Sequence, residues 1–152
     1  MKLVIMRHGE AGFSSTNGLD SGRELTARGQ EQATHAASLL QDQYIQVQQV
    51  WASHYARAWQ TGCIVAQHLN VPCQEERALS ISGYDLQELA QNIAIFAKDQ
   101  PVNAALVLVS HIPNVSDIMH FYAPNARSFS FYPANFVIVD LEQKRVCADS
   151  KQ

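Results

Sequence analysis

The stretch Met1–Glu10, MKLVIMRHGE, decides the fold. Lys2–Met6 is a short aliphatic run bounded by polar residues, the pattern of a strand buried on both faces of a sheet. A second such run, Ala104–Val109, lies far along the chain, and Val47–Ala52 and Phe136–Leu141 supply a third and a fourth. Between these runs the apolar spacing turns helical. Ala58, Gly62, Val65, Ala66 and Leu69 share one face, as do Leu86, Leu89, Ala90, Ile93 and Ala97. Thr26 is placed to cap a helix over Ala27–Gln41 with Ala33, Ala36, Ala37 and Leu40 inward. Asp85 followed by Glu88 reads as a capping box, and Pro113 suits the first turn of a last helix reaching Tyr122. Strands and helices alternating at this spacing predict an α/β three-layer sandwich, with a mostly parallel central sheet and helices on both faces. From Phe129 onward the chain reads as a β-rich finish with one antiparallel edge strand.

The chain of 152 residues is expected to form a single domain, since no repeat, low-complexity tract or linker divides it. With 47% hydrophobic and 16% charged residues it is neither disordered nor a coiled coil. A formal charge of −3 argues against non-specific nucleic-acid or membrane-surface binding, while leaving room for a local basic pocket. Ala104–Val109 is too short to span a bilayer, and Leu3–Met6 is too short for a secretion signal. Cys63, Cys73 and Cys147 make an odd set without a CxxC pair, which suits reduced thiols and a cytoplasmic location.

One segment stands apart. Ala11–Glu24 (AGFSSTNGLDSGRE) is polar, rich in Ser and Gly, and lacks a period, so it is expected to be an irregular loop. It follows directly on the first strand and therefore lies at that strand's carboxyl end, where open α/β sheets bind ligands. The same edge collects chemistry from three segments: Arg7-His8-Gly9 after the first strand, Ser53 and Arg57 after Val47–Ala52, and Ser110-His111 after Ala104–Val109. Arginine's planar fork matches phosphate oxygens, and a neutral imidazole is both nucleophile and proton carrier. Gly9 permits close approach of an anion to the backbone, and the helix starting near Pro113 turns its positive end the same way. These parts suit phosphoryl transfer. No metal or other cofactor is implied, because the six histidines show no H-x₃₋₅-H spacing and no cysteine pair has ligand spacing.

MRHGEA at the start, ELTARGQEQA at Glu24–Ala33, ASHYARAWQT at Ala52–Thr61 and LVSHIPNVSDI at Leu108–Ile118 together resemble the histidine phosphatase superfamily, also called phosphoglycerate-mutase-like. The short length looks most like its compact SixA-type phosphohistidine phosphatases. The similarity runs from residue 1 to about 140 with four motifs in the family's order; the RHG tripeptide alone is a weak signal, the ordered set a strong one. The resemblance implies that His8 is a nucleophile forming a phosphohistidine intermediate, that Arg7 and Arg57 hold the phosphoryl oxygens, and that His111 is the second histidine of the pocket. It gives Arg23 a substrate contact and Ser53 a part in positioning the phosphate or the loop. It also implies a partner, a phosphohistidine-bearing phosphotransfer domain or phosphocarrier protein, met by a monomer. The chain departs from the family pattern at His54 and Ala27, where proline is usual, and at Ser110, where glycine is. His54 is expected to be a solvent-exposed side chain.

Phosphomonoesterase members carry a glutamate that protonates the leaving oxygen. Here Glu75 and Glu76 are the candidates, and they are expected to be a solvated pair outside the site. Such an absence favours a phosphoramidate, whose imidazole leaving group has a reference pKa of about 6.5, over an alcohol ester. The readings left open are a small-molecule phosphomonoesterase of the same superfamily and a non-catalytic phosphate-binding module.

Overall fold

The computed structural model describes residues 1–151. Its strands are β1 (Lys2–Arg7), β2 (Ala11–Ser15), β3 (Arg23–Leu25), β4 (Gln46–Ala52), β5 (Cys73–Glu75), β6 (Ala104–Ser110), β7 (Phe136–Asp140) and β8 (Arg145–Asp149). Its helices are α1 (Ala27–Gln41), α2 (Ala56–Leu69), α3 (Leu86–Ala97) and α4 (Asn114–Tyr122). Six strands form one sheet in the order β5-β4-β6-β1-β7-β8. The β5-β4-β6-β1 pairings are parallel, and β7 runs antiparallel to both β1 and β8. The antiparallel edge expected at the end of the chain is thus the β7–β8 hairpin, with β7 the one strand directed against the rest. The short edge strands β5 and β8 carry no strong apolar run and were not among the expected strands.

Alternation along each strand divides the core in two. Leu3, Ile5, Leu106, Leu108, Val137 and Val139 join Leu89 and Ile93 of α3 and Ile118 and Met119 of α4. Val4, Met6, Val107, Val109, Phe136 and Ile138 join Ala36 and Leu40 of α1 and Val65 and Ala66 of α2 on the opposite face. This is the three-layer sandwich that the periodicity predicts. Thr26 caps α1 by accepting from the Gly29 N–H at 3.0 Å, and Asp85 caps α3 by accepting from the Glu88 N–H at 3.0 Å. Pro113 stands at the N-cap of α4, one position before the expected first turn. Among the described residues no helix is long and apolar enough to cross a membrane.

The expected irregular loop Ala11–Glu24 is corrected. It holds β2, a single 3₁₀ turn over Asp20–Gly22 and β3, and the two strands pair antiparallel into a separate ribbon. The pattern is invisible in sequence because the ribbon is largely solvent-facing and carries no buried alternation.

Register brings the functional segments together. Arg7 lies opposite Ser110 and Ala52 opposite Val109, so the residues after β1, β4 and β6 emerge side by side. The junction is tied by His8 N–H to the Ser110 carbonyl and Ser53 N–H to the Val109 carbonyl, each 3.1 Å. Two glycines let α1 close on this edge: a Cβ on Gly29 would lie 2.1 Å from the Glu10 carbonyl oxygen, and one on Gly9 2.6 Å from that of Gly29. Gly29→Ala is therefore expected to destabilise the protein by roughly 1–3 kcal/mol through overpacking against rigid backbone, read from the shift in a urea unfolding midpoint.

Candidate active site

His8 directly follows β1, and only 8% of it is exposed. Its Nδ1 lies 2.7 Å from the Gly9 carbonyl oxygen. A carbonyl can only accept, so Nδ1 carries the proton and Nε2 of the neutral ring keeps its lone pair. Burial pushes the imidazole down to about 4, with repulsion from Arg57, Arg7 and Arg23 adding to it and the Gly9 bond opposing it. The ring is neutral at pH 7. The Gly9 N–H donates to Thr61 Oγ1 at 3.0 Å. Gly9 thus has a packing reason to lack a side chain, and its N–H is bonded within the protein.

Three arginines surround His8. Arg7 donates from Nη1 to the Phe131 carbonyl at 3.0 Å, while its buried Nε has no partner among the described residues. Its pKa lies below the ordinary guanidinium value because of burial and then the nearby Arg57. Arg57, in the first turn of α2, is 6% exposed and donates to the Asp20 main-chain carbonyl at 2.8 Å and to the Asp20 carboxylate at 3.2 Å. Arg23 is held on the ribbon by the Gly12 carbonyl at 2.8 Å and by the other Asp20 carboxylate oxygen at 3.2 Å. Burial alone would raise the Asp20 carboxyl, but the bonds from Arg57 and Arg23 outweigh it and hold the pKa below the ordinary value. Asp20 is a site residue that sequence reasoning missed. Its one signal was membership of the unperiodic segment after β1.

His111 follows β6 and is 1% exposed. Its ring centroid is 5.2 Å from that of His8, and the planes meet at 58°. Nε2 lies 2.8 Å from Ser53 Oγ, while the buried Nδ1 has no partner among the described residues. Burial, then His8 and Arg57, push this ring down to about 3. Ser53, fully buried, also accepts from the Tyr55 N–H at 3.2 Å and lies 3.0 Å from Ser80 Oγ. His54 departs from the exposed position expected of it: its half-buried ring places Nδ1 2.7 Å from Ser80 Oγ. Ser80 was not singled out in the sequence, because it lies in a segment with no charged group and no period.

The structure therefore brings together Arg7, His8, Arg57 and His111, with Ser53 behind His111 and Arg23 on the ribbon. The two glutamates stand apart from these groups. Glu75 is exposed on the edge strand β5, and Glu76 accepts from Asn92 Nδ2 of α3 at 2.6 Å. Among the described residues no group of three or more His, Cys, Asp or Glu is arranged to hold a metal ion. Chemically, the arrangement presents a neutral nucleophilic nitrogen flanked by guanidinium groups, with two buried nitrogens, Arg7 Nε and His111 Nδ1, lacking partners among the described residues. Buried N–H groups left in this state call for an acceptor, and an oxyanion is a strong one.

The chain is 27% identical over 143 residues to the phosphohistidine phosphatase SixA of Escherichia coli, an alignment covering 94% of this chain and 87% of that one. It is 29% identical over 146 residues to a SixA homologue of Haemophilus influenzae, covering 88% and 84% respectively. Its fold matches a structure of the protein histidine phosphatase SixA complexed with tungstate, with a TM-score of 0.83 and 24% identity over 98% of this chain and 96% of that one. The model of the histidine phosphatase superfamily (branch 1) matches residues 3–111, and the chain belongs to that superfamily.

Proposed function

We propose that this protein is a phosphohistidine phosphatase that removes the phosphoryl group from a phosphotransfer domain or phosphocarrier protein. The observation that carries the reading is the Nδ1–H of His8 bonded to the Gly9 carbonyl, which leaves Nε2 of a neutral ring aimed at a cationic crevice. In the first step Nε2 attacks phosphorus in line, the new P–N bond forms and the bond to the substrate imidazole breaks. Arg7, Arg57 and the Nδ1 of His111 steady the equatorial oxygens. Water then hydrolyses the phospho-enzyme, releasing orthophosphate and the free imidazole of His8. No step is assigned to a metal.

The choice of a P–N substrate rests on the leaving group. Protonating a poor alkoxide contributes about 10²–10⁴-fold in enzymes that cleave esters, and a carboxylic acid usually does it. The carboxylate touching this crevice is Asp20, which Arg57 and Arg23 keep ionised, while Glu76 is engaged by α3 and Glu75 faces solvent. A phosphohistidine takes up a proton on its second ring nitrogen near neutral pH and so departs as neutral imidazole, its own ring supplying the proton that an ester needs from an enzyme acid. A macromolecular substrate is supported by the apolar side chains next in sequence to the site. Leu19 adjoins Asp20, Ile81 adjoins Ser80, Ile112 adjoins His111, and all are exposed, as is Phe13 beneath Arg23. Three unpaired thiols suit a reducing compartment, and we place the protein in the cytoplasm.

Phosphate release from a phosphohistidine-bearing phosphotransfer domain, run beside an aryl phosphate ester, tests the reading. Fast loss from the phosphoprotein and slow ester hydrolysis are expected, with an acid-labile phospho-enzyme and a fall of about 10³-fold or more in His8→Ala. Efficient ester hydrolysis with an inert phosphoprotein would replace it by a small-molecule phosphomonoesterase, and binding without turnover by a phosphate-binding module. Because His8 must be neutral to attack, phospho-enzyme formation is expected to persist into mildly acidic solution and to fail as pH drops through about 4. Stability follows the same groups. His8 and His111 titrate near 6.5 when unfolded but at about 4 and about 3 when folded. The unfolded chain thus binds more protons below pH 6.5. Stability is full above that pH and declines as pH falls towards 4, by up to ~1.4 kcal/mol per pH unit for each ring. Urea unfolding at pH 7 and pH 5 measures the slope, which is to flatten in His8→Ala. Asp20→Asn removes an exposed competitor for Arg57 and is expected to tighten orthophosphate binding by about 2- to 5-fold in a calorimetric titration.

A further inference from the structure

A line of hydrogen bonds leaves the pocket behind His111. His111 Nε2 lies 2.8 Å from Ser53 Oγ, Ser53 Oγ lies 3.0 Å from Ser80 Oγ, and Ser80 Oγ lies 2.7 Å from His54 Nδ1. Two main-chain donors of fixed direction enter it from the side: the Tyr55 N–H to Ser53 Oγ at 3.2 Å and the His54 N–H to Ser80 Oγ at 3.1 Å. The Tyr55 ring packs edge-on against both imidazoles, with its centroid 5.2 Å from each, and so holds the ends of the line in place. Ser53 and Ser80 are fully buried, which makes an unmade link cost about 1–3 kcal/mol.

Counting protons fixes how this line behaves. It has three links, and the two hydroxyls supply one proton each, so the third must come from one of the two imidazoles. Whichever ring supplies it, every link points the same way. In one polarity His111 Nε2–H donates to Ser53, Ser53 to Ser80 and Ser80 to His54 Nδ1, and His111 Nδ1 is a bare lone pair. In the other His54 Nδ1–H donates to Ser80, Ser80 to Ser53 and Ser53 to His111 Nε2, and neutral His111 carries its proton on Nδ1. Each polarity holds the same number of protons, so interconversion needs no net uptake.

The pocket's contents choose between them. Without an oxyanion, the first polarity leaves both rings in the imidazole's intrinsically preferred form, protonated on Nε2. An oxyanion beside His111 cannot tolerate a lone pair at Nδ1 and requires an N–H there. A second proton on His111 would add a cation beside Arg57 at a ring that is 1% exposed, whereas a change of tautomer supplies the same N–H with no added charge. We infer that His54 is a positioning residue: seating a phosphoryl oxyanion against His111 reverses the Ser53–Ser80 line and moves the proton of His54 from Nε2 to Nδ1. The inference rests on the phosphoryl-binding reading above and adds to it a half-buried ring that senses occupancy.

Imidazole ¹⁵N spectra of histidine-labelled protein at fixed neutral pH, with and without tungstate as the oxyanion, test this. In the wild type both His54 and His111 are expected to exchange which ring nitrogen gives the protonated signature when tungstate is added. Ser80→Ala cuts the line, so His111 is expected to respond while His54 does not. His54→Phe removes the competing acceptor and leaves the Ser80 hydroxyl pointing at Ser53. His111 is then expected to be protonated on Nδ1 before tungstate arrives, with tungstate binding tightened by about 2- to 10-fold, the worth of one net hydrogen bond. A wild-type spectrum in which His111 changes and His54 does not would overturn the inference and leave the phosphoryl pocket standing. A His54 that still responds in Ser80→Ala would overturn it equally. Saturating tungstate that moves neither His8 nor His111 would instead remove the pocket reading itself, and the inference with it.

Discussion

The pocket depends on the 2.7 Å bond from His8 Nδ1 to the Gly9 carbonyl, because that bond decides which nitrogen of a neutral ring faces the crevice. The carbonyl can serve as a fixed point only if Gly9 does not move. Its N–H is held by Thr61 Oγ1 of α2, whose own hydroxyl donates to the Arg57 carbonyl at 2.7 Å. Its Cα side rests against Gly29 of α1 at a separation that leaves no room for a Cβ. Thr26, which caps α1, also donates to the Glu10 carboxylate at 2.9 Å, one residue beyond Gly9. His8, Arg57 and two helix starts therefore share one short stretch of backbone, and an error in any of them displaces the His8 ring.

The electrostatics of the site suit a dianion. Arg7, Arg23 and Arg57 crowd two imidazoles that burial already keeps uncharged. A crevice so positive needs a negative partner, and Asp20 supplies one by engaging Arg57 and Arg23 with its two carboxylate oxygens. Arg57 is buried while the carboxylate is 56% exposed, so the cation is enclosed by the protein and the counter-ion is the partner that solvent reaches. Such a pair contributes little to stability. What it does is keep the Arg57 guanidinium in place at the edge of the crevice.

Much of this is legible in the amino-acid sequence. Lys2–Met6 and Ala104–Val109 read as strands because burial on both faces demands uninterrupted aliphatic residues, and their parallel pairing puts His8 and His111 at one edge. Thr26 and Asp85 read as caps because a capping oxygen is a local requirement. The β2–β3 ribbon did not read, since an exposed two-stranded ribbon needs no alternation, and Asp20 was hidden with it. Nor did the contact of His54 with Ser80, which lie 26 residues apart and meet only when β4 and the segment before α3 pack together. A histidine beside a buried serine has the same sequence signature as one in solvent. Only the third dimension distinguishes them.

The absence of a poised acid and the presence of a polarisable line behind His111 belong to one physical logic. When phosphoryl moves between two imidazoles, each carrying a proton on its other nitrogen, the bond made and the bond broken are alike, and no enzyme acid is needed. What remains is to hold charge on the equatorial oxygens, and fixed donors do that better than a carboxyl group, whose ionised form repels them. A neutral histidine is a good donor only in one of its tautomers. A site that relies on one therefore needs something to set it. In this chain that role falls to two buried hydroxyls, each with a single proton to give, and to the ring at their far end.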